Sequence, residues 1–237
     1  MIYPRIIAHR CGGALAPENT LAGLRIAARI GCRGVEFDAM LGADGVPVLI
    51  HDETLERTTS GLGGVAAADS GQLLRLDAGC RHHRAFSGEP LPSLDQALRL
   101  CASLGLWANV EIKPAVGFEV ATGEIVGRRL SAWRGRGSAS SFSLEALHAA
   151  RAAAPRLPIA VLFERLPADW RRHVDALHAW AVHLSARHVD AGVAAELAGI
   201  PWACYTVNGR DEAARLFGLG ASAVFSDRPD LWTVEEM

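Results

Sequence analysis

The chain has 237 residues, of which 50% are hydrophobic and 21% charged, with a formal net charge of -2 at pH 7. This length and composition fit one large globular domain, or one domain with a small insert, and the charge gives no support to nucleic-acid binding through a basic surface. No apolar run approaches the ~18 residues of a membrane span, and the N-terminus lacks the pattern of an export signal. With five scattered cysteines, we expect reduced thiols, a cytoplasmic location and no stable membrane association.

Strands and helices are predicted to alternate from the N-terminus. Residues 5–9 have the pattern of a short buried strand, and a helix follows that starts near Leu21 and ends at Gly31. Asn19 and Thr20 are predicted to cap this helix. Strands are then predicted at 35–38 and 46–50, separated by a turn.

Residues 53 to about 90 interrupt this alternation and are predicted to form an irregular insert. Ser93 and Gln96 resemble a capping box at the start of the next helix. The predicted strands after it are 106–112, 138–142, 159–163, 180–184, 203–207 and 223–225, and the predicted helices are 118–133, 144–154, 169–177 and 211–219.

This alternation predicts a parallel sheet covered by helices. Polar residues follow the apolar part of at least five strands, which fits the active-site face of a (β/α)₈ TIM-type barrel better than the single switch point of a doubly wound sheet. There are nine candidate strands for eight barrel positions. The link from Asp38 to Val46 is too short for a helical crossover. One strand is therefore irregular or pairs outside the barrel, and the sequence leaves open which.

Glu36 and Asp38 lie on the same face of their predicted strand, because successive side chains on a strand point to opposite faces. Two ionised carboxylates side by side are tolerated if they are solvated, if one is protonated, or if a cation lies between them. A second pair of charged residues with the same spacing is Glu111 and Lys113, whose charges are of opposite sign. Our hypothesis is that Glu36, Asp38 and Glu111 hold one hard divalent cation.

Eight short motifs, in order along nearly the whole chain, resemble those of the glycerophosphodiester phosphodiesterase family. None is specific alone, but the ordered set is. The motifs are His9-Arg10, Ala16-Pro17-Glu18-Asn19-Thr20, Glu36-x-Asp38, Asp44-Gly45-Val46-Pro47-Val48, His51-Asp52-x-x-Leu55-x-Arg57-Thr58-Thr59, Glu111-Ile112-Lys113, Thr206-Val207-Asn208 and Ser226-Asp227-Arg228-Pro229.

The resemblance implies one barrel domain over residues 1–237, with a small insertion after the third strand. It implies hydrolysis of a small-molecule glycerophosphodiester to sn-glycerol 3-phosphate and an alcohol. We expect a monomer or a homodimer, and the sequence does not decide between them. The expected metal ligands are Glu36, Asp38 and Glu111, whose oxygens suit Mg²⁺ or Ca²⁺.

Cleavage of a phosphodiester also needs an acid, a base and positive charge at the phosphate. His9 and His51 are the expected acid–base pair, because imidazole titrates near neutral pH. Arg10 and Lys113 are the expected phosphate ligands. The sequence does not choose between attack by the substrate's own hydroxyl, through a cyclic phosphate, and direct attack by water.

Two alternatives remain at this stage. The first is a lysophospholipase D-like or other phosphodiesterase of the same barrel type. It would need an apolar groove for an acyl chain, and the insert residues Leu62, Val65, Leu73, Leu74 and Phe86 are where such a groove is expected. The second is a barrel that binds phosphate esters without turnover.

Overall fold

The computed structural model describes residues 3–232 and 234–236. Eight parallel strands form a closed ring in which β1 pairs with both β2 and β9, so the predicted (β/α)₈ barrel is confirmed. The strands are β1 (Ile6–Ala8), β2 (Gly34–Leu41), β3 (Pro47–Leu49), β4 (Trp107–Ile112), β5 (Arg136–Ser141), β6 (Ile159–Phe163), β7 (Ala181–Ser185), β8 (Trp202–Tyr205) and β9 (Ala223–Ser226).

Helices follow most of the barrel strands. Thr20 is the N-cap of the first helix and Ser93 with Gln96 forms a capping box at α3, as predicted. The helices are α1 (Leu21–Arg29), α2 (Ser70–Leu73), α3 (Leu94–Leu104), α4 (Glu119–Ala132), α5 (Leu144–Ala153), α6 (Trp170–Leu177), α7 (Ala191–Glu196) and α8 (Arg210–Gly218).

The ninth strand is β3, which lies outside the ring and pairs antiparallel with β2. Its register places Ala39 opposite Leu49 and Leu41 opposite Pro47. Gly45 has a φ of +74° at the turn, a conformation that glycine adopts without strain. The short link between the two strands therefore makes a hairpin, and the insert begins from it rather than from a barrel strand.

The insert has more regular structure than the sequence analysis predicted. It contains α2, whose cap Asp69 forms a capping box with Gln72, and isolated bridges join Thr54 to Gly64 and Asp77 to Pro90. It also has its own small apolar core, which packs on β2 and β3. The buried members are Met40, Val48, Ile50, Leu55, Val65, Leu73, Ala78, Leu91 and Ala115.

Two glycines allow α4 to approach α5 closely, although glycine has a low intrinsic propensity for helices. A Cβ atom on Gly123 would lie 2.1 Å from the carbonyl oxygen of Ala146, and one on Gly127 would lie 3.0 Å from Ala150 Cα. The two residues are four positions apart, so they lie on the same face of α4. They are therefore required by close helix packing.

Helix α7 was not predicted; it has six residues and lies between β7 and β8. Its Gly192 and its short length leave no helical period to detect. Among the described residues, no helix combines the length and the apolar character needed to cross a membrane. The predicted cytoplasmic location, single domain and oligomeric state stay predictions.

Candidate active site

The predicted site residues meet at the carboxyl ends of the barrel strands. His9 follows β1, Glu36 and Asp38 belong to β2, and Glu111 belongs to β4. Most of them line a cavity of about 220 Å³, together with four apolar or aromatic residues. The polar lining residues are His9, Arg10, Glu36, His51, Asn109, Glu111, Lys113, His183 and Thr206, and the apolar or aromatic ones are Phe142, Leu162, Tyr205 and Phe225.

The three predicted metal ligands form a buried acidic cluster. One oxygen from each of Glu36, Asp38 and Glu111 lies within 4.8 Å of the others, and the residues are only 3%, 1% and 9% exposed. The parallel pairing of β2 with β4 sets Asp38 directly beside Glu111. Asn19 fixes Asp38 by donating to its Oδ2 at 2.8 Å and accepting from its backbone N–H at 3.1 Å. The prediction that Asn19 caps α1 is wrong; Thr20 alone does so.

This cluster fits a hard divalent cation. All its donors are carboxylate oxygens, the ligands that Mg²⁺ and Ca²⁺ prefer. Glu36 Oε1 is buried and has no hydrogen-bond partner among the described residues, a costly state for a carboxylate. Burial and the charge of Asp38 raise the pKa of Glu36 to about 8 and that of Glu111 to about 7. A cation bound between the three would remove this repulsion.

His9 is held by an acidic residue from the far end of the chain. Its Nδ1 lies 2.7 Å from Asp227 Oδ1, and its Nε2 lies 3.8 Å from Glu36 Oε2. Because an ionised carboxylate only accepts hydrogen bonds, Nδ1 carries the proton. Burial opposes the charged imidazole, but the hydrogen bond to Asp227 and the charge of Glu36 outweigh it and raise the pKa of His9.

His51 is oriented in the same way by its neighbour in sequence. Its Nδ1 donates to Asp52 Oδ1 at 2.8 Å, and its Nε2 accepts from Lys113 Nζ at 2.7 Å. This ring is the neutral Nδ1–H tautomer, because a carboxylate cannot donate and an ammonium cannot accept. Burial lowers the pKa of His51, in the opposite direction to that of His9.

Lys113 lies between the second histidine and the acidic cluster. Its Nζ is 3.3 Å from Glu111 Oε1 and 3.6 Å from Asp38 Oδ1. Burial disfavours the ammonium, but these carboxylates outweigh it and raise the pKa of Lys113. Lys113 is the only lysine among the 24 lysine and arginine residues of the chain.

Arg10 contacts the site through both backbone and side chain. Its backbone N–H donates to Glu36 Oε2 at 2.8 Å, and its φ of +48° turns the chain sharply after β1. Its Nη1 donates to both carboxylate oxygens of Glu18, at 3.2 and 3.1 Å. Its Nε is buried and has no partner among the described residues.

Four polar residues that support the predicted site residues were given no such role in the sequence analysis. Asp227 and Asp52 orient the two histidines, Asn19 holds Asp38, and Glu18 holds Arg10. Asp52 could have been found, because it follows His51 directly. Asp227 belongs to one of the eight motifs, but its partner could not be predicted, because the contact with His9 exists only once β1 and β9 close the barrel.

Residues 9–231 match the profile of the glycerophosphoryl diester phosphodiesterase family. The chain belongs to this family. Membership confirms the predicted resemblance and places the chain among the phosphoric diester hydrolases. Over 232 residues the chain is 29% identical to a glycerophosphodiester phosphodiesterase of Caldanaerobacter subterraneus subsp. tengcongensis, covering 95% of this chain and 94% of the relative. It is 30% identical to a putative glycerophosphodiester phosphodiesterase of Bacillus subtilis, with 95% of each chain covered.

Solved structures of the family have the same fold. A phosphodiesterase from Oleispira antarctica, in complex with the product sn-glycerol-3-phosphate, superposes with a TM-score of 0.92 at 33% identity and covers 96% of this chain and 94% of its own. A putative glycerophosphoryl diester phosphodiesterase from Silicibacter pomeroyi superposes with a TM-score of 0.83 at 25% identity, with 97% and 92% covered. The barrel of this chain is therefore the barrel of the phosphodiesterase family.

Proposed function

We propose that this phosphodiesterase hydrolyses small glycerophosphodiesters to sn-glycerol 3-phosphate and an alcohol. The observation that carries the proposal is the meeting of an all-carboxylate cluster and two separately oriented histidines in one cavity. The product held by the Oleispira antarctica phosphodiesterase supports the same substrate class. That enzyme covers nearly the whole chain at 33% identity.

His9 and His51 act as the proposed acid–base pair. Each ring has its Nδ1 hydrogen bonded to an aspartate, so Nε2 is the nitrogen that exchanges a proton with substrate. On His51, Nε2 accepts from Lys113 Nζ at 2.7 Å, so Lys113 has to turn from the ring to the substrate phosphate before His51 takes up a proton. The raised pKa of His9 and the lowered pKa of His51 favour a charged and a neutral ring, the states required of an acid and a base. The same two rings would exchange these roles if the reaction has a second step.

Glu36, Asp38 and Glu111 would hold one divalent cation, Mg²⁺ or Ca²⁺. When bound, this cation neutralises charge that develops on the phosphoryl oxygens. Lys113, whose Nζ lies 3.3 Å from Glu111 Oε1 and 3.6 Å from Asp38 Oδ1, adds a second positive charge beside the cluster. Arg10 brings a guanidinium to the cavity wall, where its donors suit a phosphate.

The cavity favours a small alcohol over a lysophospholipid. Its volume of about 220 Å³ lies below the roughly 300–1,000 Å³ of pockets for drug-sized ligands. Two of the insert residues expected to line an acyl groove, Val65 and Leu73, are fully buried in the core of the insert instead. Leu62 is exposed, but it stands alone in this respect among the five.

The experiment is a release assay for sn-glycerol 3-phosphate from glycerophosphocholine, with lysophosphatidylcholine in parallel. We expect release from the first substrate with added Mg²⁺ or Ca²⁺, and loss of activity in excess chelator that either cation restores. His51→Gln should lower kcat by about 10²–10⁴-fold. His148→Gln is the matched control, because His148 is exposed on α5, outside the cavity.

Each other outcome removes a defined part of the proposal. Full activity in excess chelator would show that the reaction needs no divalent cation. Full activity of His51→Gln removes its role as acid or base. Turnover of the lipid alone selects the lysophospholipase D-like alternative, and inactivity towards a panel of diesters with metal supplied selects the non-catalytic barrel.

A further inference from the structure

Arg57, in the insert, joins two carboxylates that come from different parts of the chain. Its Nη1 and Nη2 donate to the two oxygens of Glu18 at 2.8 Å each, and its Nε donates to Asp52 Oδ2. A guanidinium is planar and its five donors have a fixed fork geometry. These bonds therefore fix the positions of Glu18 and Asp52 relative to each other.

Both carboxylates also bind a residue that lines the cavity. Asp52 uses its other oxygen, Oδ1, to accept from His51 Nδ1 at 2.8 Å, and Glu18 also accepts from Arg10 Nη1 at 3.1 and 3.2 Å. An unbroken series of hydrogen bonds thus runs from Arg10 through Glu18, Arg57 and Asp52 to His51. Cations and carboxylates alternate along the first four of these groups. Glu18 is bound by both Arg10 and Arg57, and Asp52 is bound by Arg57.

Arg57 itself does not reach the cavity. It is absent from the lining residues, and its side chain is 46% exposed, against 22% for Arg10 and 29% for His51. An exposed ion pair contributes little to stability, but a forked guanidinium restricts the geometry of the groups that it binds. Arg57 can therefore influence a reaction only through the residues that it holds.

We propose that Arg57 is a positioning residue that holds the proposed acid–base group His51 and the proposed phosphate ligand Arg10 in a fixed position relative to each other. This inference rests on the proposed function. It also gives the insert a role in the reaction: the segment that supplies Arg57 connects the loop after β1 with the loop after β3. The substrate phosphate then meets a base and a guanidinium whose separation is already set.

The main test compares Arg57→Ala and Arg57→Lys with the wild type in the glycerophosphocholine assay. We expect kcat/KM of Arg57→Ala to fall by roughly 10–100-fold, the usual cost of losing a residue that orients a site group. Arg57→Lys should recover little of this, because an ammonium cannot bind two carboxylates in a fork. Millimolar guanidinium should raise the rate of Arg57→Ala several-fold and leave the wild type unchanged.

Arg81→Ala is the matched control. Arg81 also braces the insert, by donating from Nε to the carbonyl oxygen of Thr59, but it binds no carboxylate among the described residues. We expect Arg81→Ala to keep wild-type kcat/KM. If Arg57→Ala keeps wild-type kcat/KM, or loses no more than Arg81→Ala and is not rescued by guanidinium, Arg57 only braces the insert and the inference is overturned.

A double-mutant cycle tests the route of the effect. Because Arg57 acts on His51 through Asp52, the double variant Arg57→Ala/Asp52→Asn should lose much less than the product of the two single losses. Fully multiplicative losses would contradict a shared route.

An NMR measurement separates this inference from the proposed function, because it does not depend on turnover. The His51 Nδ1–H proton, bonded to Asp52, should be observed in the wild type and in Arg81→Ala and be broadened by exchange in Arg57→Ala. If the wild type releases no glycerol 3-phosphate but this broadening is found, the proposed function fails and the positioning role stands. If the wild type is active and neither the proton signal nor kcat/KM changes in Arg57→Ala, the inference alone fails.

Discussion

Replacing Glu36 by glutamine should stabilise the protein without a cation and destabilise it, relative to the wild type, with one. The ligand oxygens of the acidic cluster lie within 4.8 Å of one another, so each ionised pair repels by about 3.5 kcal/mol at an effective dielectric constant of about 20. Glu36 belongs to two such pairs. The imidazole of His9, whose Nε2 lies 3.8 Å from Glu36 Oε2, offsets part of the repulsion when it is protonated. A glutamine keeps the shape of the side chain and removes the charge.

The expected gain is smaller than the summed repulsion, because Glu36 takes up a proton instead of remaining charged. Its pKa of about 8 lies above the value of 4.5 for a free side chain. A carboxyl group with a raised pKa destabilises the folded state increasingly as pH rises above the unfolded value. In chelator at pH 8, we therefore expect Glu36→Gln to raise the free energy of unfolding by about 1–3 kcal/mol, which is ~2–10 °C in Tm for a chain of this size.

Thermal melts in chelator and in excess Mg²⁺ measure the effect. A cation at 1,000 times its Kd should stabilise the wild type by about 4.1 kcal/mol. This exceeds the advantage of Glu36→Gln in chelator, and the variant should gain much less from the cation, so the order of the two Tm values reverses. Glu124→Gln, on the exposed face of α4, is the control and should respond to Mg²⁺ as the wild type does. If Glu36→Gln is less stable than the wild type in chelator, or gains as much from Mg²⁺, the reasoning about the cluster is refuted.

Three further predictions follow from the packing and the hydrogen bonds. Gly123→Ala should destabilise the protein by about 1–3 kcal/mol in urea unfolding, because its Cβ would lie 2.1 Å from a carbonyl oxygen of α5. Gly218→Ala, whose Cβ would have no atom of the described residues within 4 Å, should be neutral or slightly stabilising. Asp227→Asn should lower kcat roughly 10–100-fold with little change in KM, since it removes the charge that orients His9. Burial lowers the pKa of His183 to about 3, so below pH 6.5 this residue takes up a proton in the unfolded chain but not in the folded protein. Its contribution should therefore reduce the free energy of unfolding by about 1.4 kcal/mol per pH unit as pH falls from about 6.5 towards 3.

The controls and contradicting results are specific to each prediction. A Gly123→Ala variant as stable as the wild type would mean that α4 and α5 do not pack closely. Unchanged kcat in Asp227→Asn would separate this aspartate from the reaction. For His183, the wild type should lose more stability than His183→Gln between pH 6 and 4, and parallel curves for the two proteins would show that His183 is not buried as a neutral ring.

The positions of most strands were predictable because they are short apolar runs between helical segments, although β5 (Arg136–Ser141) is largely polar. The predicted strand 106–112 contains β4 (Trp107–Ile112), and 159–163 coincides with β6 (Ile159–Phe163). The role of β3 was harder to assign. The short link excluded a parallel crossover, but it did not say whether the strand was irregular or formed a hairpin outside the ring.

The glycines of α4 show a limit of local propensity. A glycine within a helix counts against the helix by about 1 kcal/mol, so residues 123 and 127 made this prediction weaker. These glycines allow close contact with α5, and this contact cannot be read from the sequence of α4 alone. Helix α2 is the opposite case, because a local signal was present and was not used. Asp69 and Gln72 have the spacing of a capping box, but residues 53 to about 90 were predicted to be irregular.

The candidate site divides in the same way. Residue type, strand-end position and the resemblance to the family together predicted that the three acidic residues and both histidines share one site, and the structure places them together. The partners of these groups depend on tertiary closure: Asp227 lies 218 positions from His9. Lys113 had an unused signal, because it is the only lysine of the chain. In a protein whose other basic side chains are all arginines, a compact ammonium at this position suggests a need that a guanidinium does not meet.

The cation site is tested most directly by anomalous diffraction from crystals grown with Mn²⁺ in place of Mg²⁺. We predict one strong anomalous peak among the carboxylates of Glu36, Asp38 and Glu111, at a distance of roughly 2.0–2.6 Å from an oxygen of each, as for other hard cations. A peak elsewhere on the protein, or none where the three side chains meet, would contradict the account.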